Sequence, residues 1–148
     1  MKNDKPLTEE ERIYYKMLLE QNAELFLESC GTKEEYQKYL GSVMKTPLGD
    51  VRMGANQYAK FIAKHRENLF IATRSTLENP ALIFLAENGS RVYVKSFSLN
   101  SRQSKIIISA TIKKEDASIV ITTHEERLNQ VLGKIKKTGI LYEKAPGL

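Results

Sequence analysis

The stretch ALIFLAENGSRVYVKSFSLNSRQSKIIISATI, residues 81–112, decides the fold class of this chain. Its apolar residues recur with a period of two, in ALIFLA (81–86), RVYVKSFSL (91–99) and SKIIISATI (104–112). A fourth run of the same kind, SIVITT (118–123), follows. The links between the runs are short and contain Gly, Asn, Ser or acidic residues. That combination predicts an antiparallel meander of four strands.

Upstream of this block the period is 3.6. Thr8-Glu9-Glu10-Glu11 has the form of a capping box, and Tyr14, Met17, Leu18 and Leu25 recur at helical spacing, with Gly31 as the expected end. Thr32-Lys33-Glu34-Glu35 caps a shorter helix that Gly41 closes. Between Val43 and Met53, Pro47 and Gly49-Asp50 interrupt a strand-like pattern and predict a small hairpin. Tyr58, Phe61, Ile62, His65, Leu69 and Phe70 form the stripe of one helix to about Leu77, stopped by Asn79-Pro80. After the strands, Glu125 to Lys137 reads as a last helix, with a short edge strand at Ile140–Tyr142. The expected class is α+β: N-terminal helices packed on a four-stranded antiparallel sheet, with a C-terminal helix.

With 148 residues, 41% of them apolar and 28% charged, the composition is that of a soluble globular domain. No apolar run approaches the roughly 18–20 residues that span a bilayer, so no membrane contact is expected. The opening MKNDKPLTEEERIYY lacks the apolar core of a secretion signal, and the expected location is cytoplasmic. A single cysteine, Cys30, excludes an internal disulfide and a multi-cysteine zinc site. Net charge is +5 but unevenly placed. Residues 1–42 carry six Lys/Arg against nine Asp/Glu, and residues 43–148 carry seventeen against nine. The expected organisation is an acidic helical extension (1–42), acting as a separate layer, docking arm or lid, on a basic body (43–148). A basic body favours polyanions, with RNA the expected partner.

Strand alternation separates two sheet faces. Val92, Val94, Ile106, Ile108, Ala110, Ile112, Ile119 and Ile121 are assigned to a packing face. Tyr93, Lys95 and Phe97, then Ile107, Ser109 and Thr111, then Val120, Thr122 and His124 are assigned to the other. A solvated face has a similar composition. The mixture is also the one that metal-free cleavage of RNA requires. A base must take the 2′-hydroxyl proton, an acid must protonate the leaving oxygen, and cations or donors must stabilise the phosphorane. Tyr93 and Phe97 add aromatic surface on which bases stack. His124 has two compatible readings: the second residue of a capping box, Thr123-His124-Glu125-Glu126, or an imidazole beside a phosphate at a helix N-terminus. His65 reads either as a half-buried histidine of the helix stripe or as a substrate contact, and Arg66 as a phosphate contact or the partner of an acid. No P-loop, dinucleotide-binding glycine run, HExxH or G-x-S-x-G is present. Neither a metal nor another cofactor is expected.

The order Asn56-Gln57-Tyr58, Arg66, Leu77-x-Asn79-Pro80, Tyr93-x-Lys95-Ser96-Phe97, Ser109 and Ile121-Thr122-Thr123-His124-Glu125-x-Arg127 resembles a phage-associated nuclease family. That family belongs to the barnase–EndoU–colicin–RelE (BECR) superfamily of metal-independent RNases and toxins. The resemblance covers about residues 43–144. It implies helices before a four-stranded antiparallel sheet and a toxin-like endoribonuclease that leaves a 2′,3′-cyclic phosphate. An antitoxin or immunity protein would be a further partner. Carried over by position, it points to His124, Lys95 and Ser109, with Arg66 and Arg127 at phosphate and Tyr93 in the site. Rival expectations are a non-catalytic nucleic-acid-binding module and a phage accessory interaction domain.

Overall fold

The structure is a computed structural model that describes residues 5–53, 55–99, 105–112 and 120–144. For residues 55, 56, 105 and 120–125 the backbone alone is described. The described residues form five α-helices, α1 (Glu9–Gln21), α2 (Lys33–Leu40), α3 (Ala55–Ala63), α4 (Phe70–Glu78) and α5 (Leu128–Lys134). Eight strands accompany them: β1 (Glu24–Leu25), β2 (Met44–Thr46), β3 (Gly49–Val51), β4 (Leu82–Leu85), β5 (Arg91–Ser98), β6 (Lys105–Ile112), β7 (Val120–Glu126) and β8 (Ile140–Glu143).

The class is α+β, and β4–β5–β6–β7 is the antiparallel meander that the period-two runs predict. The sheet is larger than four strands, and it is mixed. Its order is β7-β6-β5-β4-β8, and β1 adds to β5 in parallel through Glu24↔Phe97 and Leu25↔Ser98. The reason is length. β5 has eight residues and β4 only four, so the far end of β5 has an open flank that β1 fills. The hairpin β2–β3 forms separately around Pro47 and Gly49.

Both expected N-terminal capping boxes form. Thr8 and Thr32 accept from the N–H groups of Glu11 and Glu35, whose carboxylates bond back to the cap N–H groups. α1 ends at Gln21, earlier than Gly31, because the chain leaves the helix to pair with β5. The stripe from Tyr58 to Leu77 is two helices, not one. At the break, His65 has φ 56°, its N–H bonds to the Ile62 carbonyl, and the Arg66 N–H reaches back to Phe61. This is a Schellman closure with histidine where glycine is usual. A left-handed backbone at a residue with a Cβ costs about 1–2 kcal/mol. His65→Gly is therefore expected to stabilise the fold by about 1 kcal/mol, less the entropy that glycine adds to the unfolded chain. Urea denaturation with an unchanged slope is the check; a lower midpoint for His65→Gly would refute it.

Among the described residues, β5 and β6 are covered on both faces. On one side Tyr93, Phe97, Ile108, Ala110 and Ile112 pack with Tyr36 and Leu40 of α2, Phe61 of α3 and Phe70 and Leu77 of α4. Phe70 is edge-on to both Tyr36 and Phe61, at ring distances of 5.4 and 5.2 Å. On the other side Leu82, Phe84, Val92, Val94 and Ile107 pack with Tyr15, Leu18 and Leu19 of α1 and Val131 and Leu132 of α5. The Tyr14 and Tyr15 hydroxyls both donate to the Glu143 carboxylate, tying α1 to β8. Burial, and then Glu143, push the Tyr15 phenol pKa upward. Both cores thus cross residue 42. That position marks a change of charge, and the acidic segment supplies part of each core and one strand. Among the described residues, no helix is long and apolar enough to cross a membrane.

Candidate functional site

The register of β5, β6 and β7 defines three rows across the sheet: Ser96–Ile107–Glu126, Val94–Ser109–His124 and Val92–Thr111–Thr122. Residues that pair across an antiparallel ladder share a face. Odd-numbered positions of β5 stand opposite even-numbered positions of β6, so the face expected from alternation alone is split. Ser109, Thr111, Thr122 and His124 keep company as expected. Tyr93, Lys95 and Phe97 belong to the opposite face, paired with Ala110, Ile108 and Ile106.

β7 also runs further than the sequence pattern predicts. It continues through His124 and Glu125 to Glu126, paired with Ser109, Ile108 and Ile107. The last helix starts at Leu128, with Arg127 at its cap and the Gln130 side chain accepting from the Arg127 N–H. His124 is therefore a strand residue, and it stands neither in a capping box nor at a helix N-terminus. Its side chain, like that of Thr122, lies outside the described residues.

Extending the strand brings Glu126 into the site. Its side chain is 5% exposed. Ser109 donates to Glu126 Oε1 at 2.5 Å, and Lys134 Nζ of α5 lies 2.7 Å from Oε2. The buried carboxylate is thus held by a hydroxyl and an ammonium, which satisfies both its oxygens. Two cavities meet at this residue. One, about 590 Å³, lies between α1 and α5 and is lined by Lys16, Leu19, Ser96, Ile107, Arg127 and Gln130, among others. The second, about 470 Å³, lies beside α5 and includes Thr111, Val92, Lys134 and Lys136. Glu126 lines both.

The remaining expected residues are elsewhere. Lys95 is wholly buried, its ammonium 2.6 Å from the Asn79 carbonyl oxygen and 3.1 Å from Glu24 Oε2. Burial lowers its pKa, and the bond and charge of Glu24 oppose this without cancelling it. The Glu24 carboxylate also accepts from Ser75 and Asn79, and Lys144 donates to the Asn79 side chain. This network joins β1, α4 and β5. Tyr93 is in the core, its hydroxyl 3.0 Å from that of Thr46, and Phe97 is buried edge-on to Phe26. Neither presents a stacking face to solvent. His65 is exposed in its turn and Arg66 is half-buried after it, both at the α3–α4 junction. Arg127 is exposed at the mouth of the larger cleft.

The sequence pattern gave Glu126 only a place in a capping box and left Ser96, Lys16 and Gln130 outside the expected site. A signal for Glu126 existed, since Thr122, His124 and Glu126 continue the period of two. No protein-family model, curated protein or solved structure matches the chain.

Proposed function

We propose that the chain is a metal-independent endoribonuclease whose reacting groups lie on β6–β7 rather than on β5. The supporting observation is the Ser109–Glu126–Lys134 cluster at the junction of two cavities, with His124 opposite Ser109 in the same ladder. Glu126 takes the proton of a ribose 2′-hydroxyl, whose oxygen forms a bond to phosphorus. The P–O5′ bond breaks, and the leaving 5′-oxygen receives its proton from His124. Lys134 and Arg127 offset the charge of the phosphorane. Ser109 orients the carboxylate, as a hydrogen-bonded neighbour orients any general base. The products are a 2′,3′-cyclic phosphate and a 5′-hydroxyl.

Lys95 has no part in this chemistry, because its ammonium is engaged beneath Glu24 on the other face. The test is incubation with structured and unstructured RNAs in EDTA, followed by end analysis of the fragments. Cyclic phosphate ends support the reading. Intact RNA at high enzyme concentration sinks it, and salt-dependent binding without cleavage would instead identify a nucleic-acid-binding module.

A further inference from the structure

The segment Glu24-Leu25-Phe26-Leu27-Glu28, which contains β1, leaves one edge of its backbone unused. Phe26 donates its N–H to the Ser98 carbonyl, and Leu25 is the residue paired with Ser98 in the parallel ladder. In that arrangement residues 24 and 26 turn their backbone groups to β5, and Leu25 turns its own away. Alternation gives Leu27 the same outward direction. Among the described residues, the N–H and C=O groups of Leu25 and Leu27 have no hydrogen-bond partner. Their side chains are 55% and 54% exposed. Edge strands are commonly blunted by proline or lysine, and this segment has neither. The edge is nevertheless held in place from behind. Glu24 is tied to Ser75, Asn79 and Lys95, and Phe26 packs edge-on to Phe97. Ser29 bonds to the Glu67 and Asn68 carbonyls and to the Phe70 N–H. A fixed edge with free backbone groups is a template for one more strand.

Charge selects the occupant. A second copy of the segment, antiparallel and centred on Phe26, would pair Leu25 with Leu27 and match every outward group. It would also set Glu24 opposite Glu28 twice, and like charges directly opposite are unfavourable. It would bring together two segments, residues 1–42 of each copy, that each carry nine Asp/Glu against six Lys/Arg. We propose that this edge docks an extended segment of a basic protein partner, added as an antiparallel strand. That segment has lysine or arginine at its first and fifth positions and apolar residues at its second and fourth. The apolar pair lies beside Leu25 and Leu27 on one side of the new strand, and the two cations stand opposite Glu24 and Glu28 on the other. Glu28 is exposed, with one oxygen bonded to the Asn68 amide, and the Glu24 side chain is 41% exposed. Lys95 already offsets part of the Glu24 charge, so the cation opposite Glu28 contributes more to selection. The surface is independent of the RNA reading.

The experiment is fluorescence anisotropy of the full chain with a labelled peptide, Lys-Val-Thr-Val-Lys with two threonines on each side. One control peptide carries glutamate in place of both lysines. Another carries methyl groups on both valine nitrogens, which keeps the charge and removes the donors that meet the edge. The lysine peptide is expected to bind, the glutamate peptide about tenfold more weakly, and the methylated peptide not at all. In the chain, Leu27→Pro removes an outward N–H and leaves the Phe26–Ser98 bond in place, while Leu25→Lys puts a like charge on the edge. Each should weaken binding at least about tenfold, through a lost backbone hydrogen bond or a charge repelled at close range. Leu25 is exposed, so its variant reports even if Leu27→Pro perturbs folding. No binding at millimolar peptide, or binding that survives methylation and both variants, overturns the proposal. A chain that sediments as a dimer, and as a monomer in Leu27→Pro, assigns the edge to a second copy and overturns the basic occupant.

Discussion

RNA cleavage in EDTA is expected to fall about 10²–10⁴-fold in Glu126→Gln, the usual contribution of a positioned acid or base. Glutamine keeps the volume and an acceptor for Ser109, so the substitution removes the proton acceptor with little change of shape. The ion pair with Lys134 is also lost, but that ammonium is 54% exposed and is hydrated once released. His124→Ala is expected to lose a comparable factor, and the double variant much less than the product of the two, because acid and base act in one step. Tyr93→Phe serves as the control. It removes a hydroxyl bonded to Thr46 on the opposite face and should retain at least about half the activity, since surrounding packing is conserved. Single-turnover rates with circular dichroism of each variant make the comparison. Full activity in Glu126→Gln would remove β7 from the mechanism.

Glu24→Ala is expected to destabilise the fold by about 3 kcal/mol, the lower end for breaking a buried ion pair because the carboxylate itself is partly exposed. The cost arises mainly at Lys95. Its ammonium is wholly buried and, among the described residues, would keep the Asn79 carbonyl as its one partner, while Ser75 and the Asn79 amide would each lose an acceptor. For a chain of this size that corresponds to a fall of about 10 °C in Tm. Glu24→Ala/Lys95→Met should recover much of the loss, since removing both charges costs less than stranding one. Differential scanning calorimetry distinguishes these cases, and an unchanged Tm in Glu24→Ala would show that the network carries no net stability.

The same pair predicts a pH dependence. Burial works to raise the Glu24 pKa, but the hydrogen bonds from Ser75, Lys95 and Asn79 and the charge of Lys95 outweigh it, and the net shift is downward from 4.5. Its contribution is therefore present above pH 4.5 and is lost as pH falls through the lower, folded value. Lys95 is also lowered, from 10.5, so the unfolded chain holds that proton longer. From Lys95 alone, stability rises as pH passes from the folded value towards 10.5. The acid loss should be smaller in Glu24→Ala than in the wild type, measured by urea midpoints from pH 3 to 6.

Much of this was legible in the residues. Thr8 with Glu11 and Thr32 with Glu35 mark helix starts, because a cap is decided by groups three residues apart. The meander was legible in its period, and so was the strand at Ile140. His124, Ser109, Thr111 and Thr122 were correctly grouped, because β6 and β7 pair with the parity that simple alternation assumes. Lys95, Tyr93 and Phe97 were not separable from them. The phase between β5 and β6 depends on how the hairpin closes, and a shift of one residue exchanges the faces.

The end of β7 was ambiguous for a different reason. Thr123-His124-Glu125-Glu126 satisfies the pattern of a helix cap and also continues a strand. Local chemistry does not choose between them. The choice falls to β6, whose Ile107 and Ile108 pair with Glu126 and Glu125 and hold those residues in the sheet. The sequence by itself determined the antiparallel meander, the caps at Thr8 and Thr32 and the strand at Ile140, all of which depend on neighbours a few residues away. Tertiary structure decided that both faces of β5 and β6 are covered, that Lys95 is buried under Glu24, and that Glu126 stands with Ser109 between two cavities. Those outcomes depend on strand register and on helices α1 and α5 closing over one face, which are contacts between residues far apart in the chain.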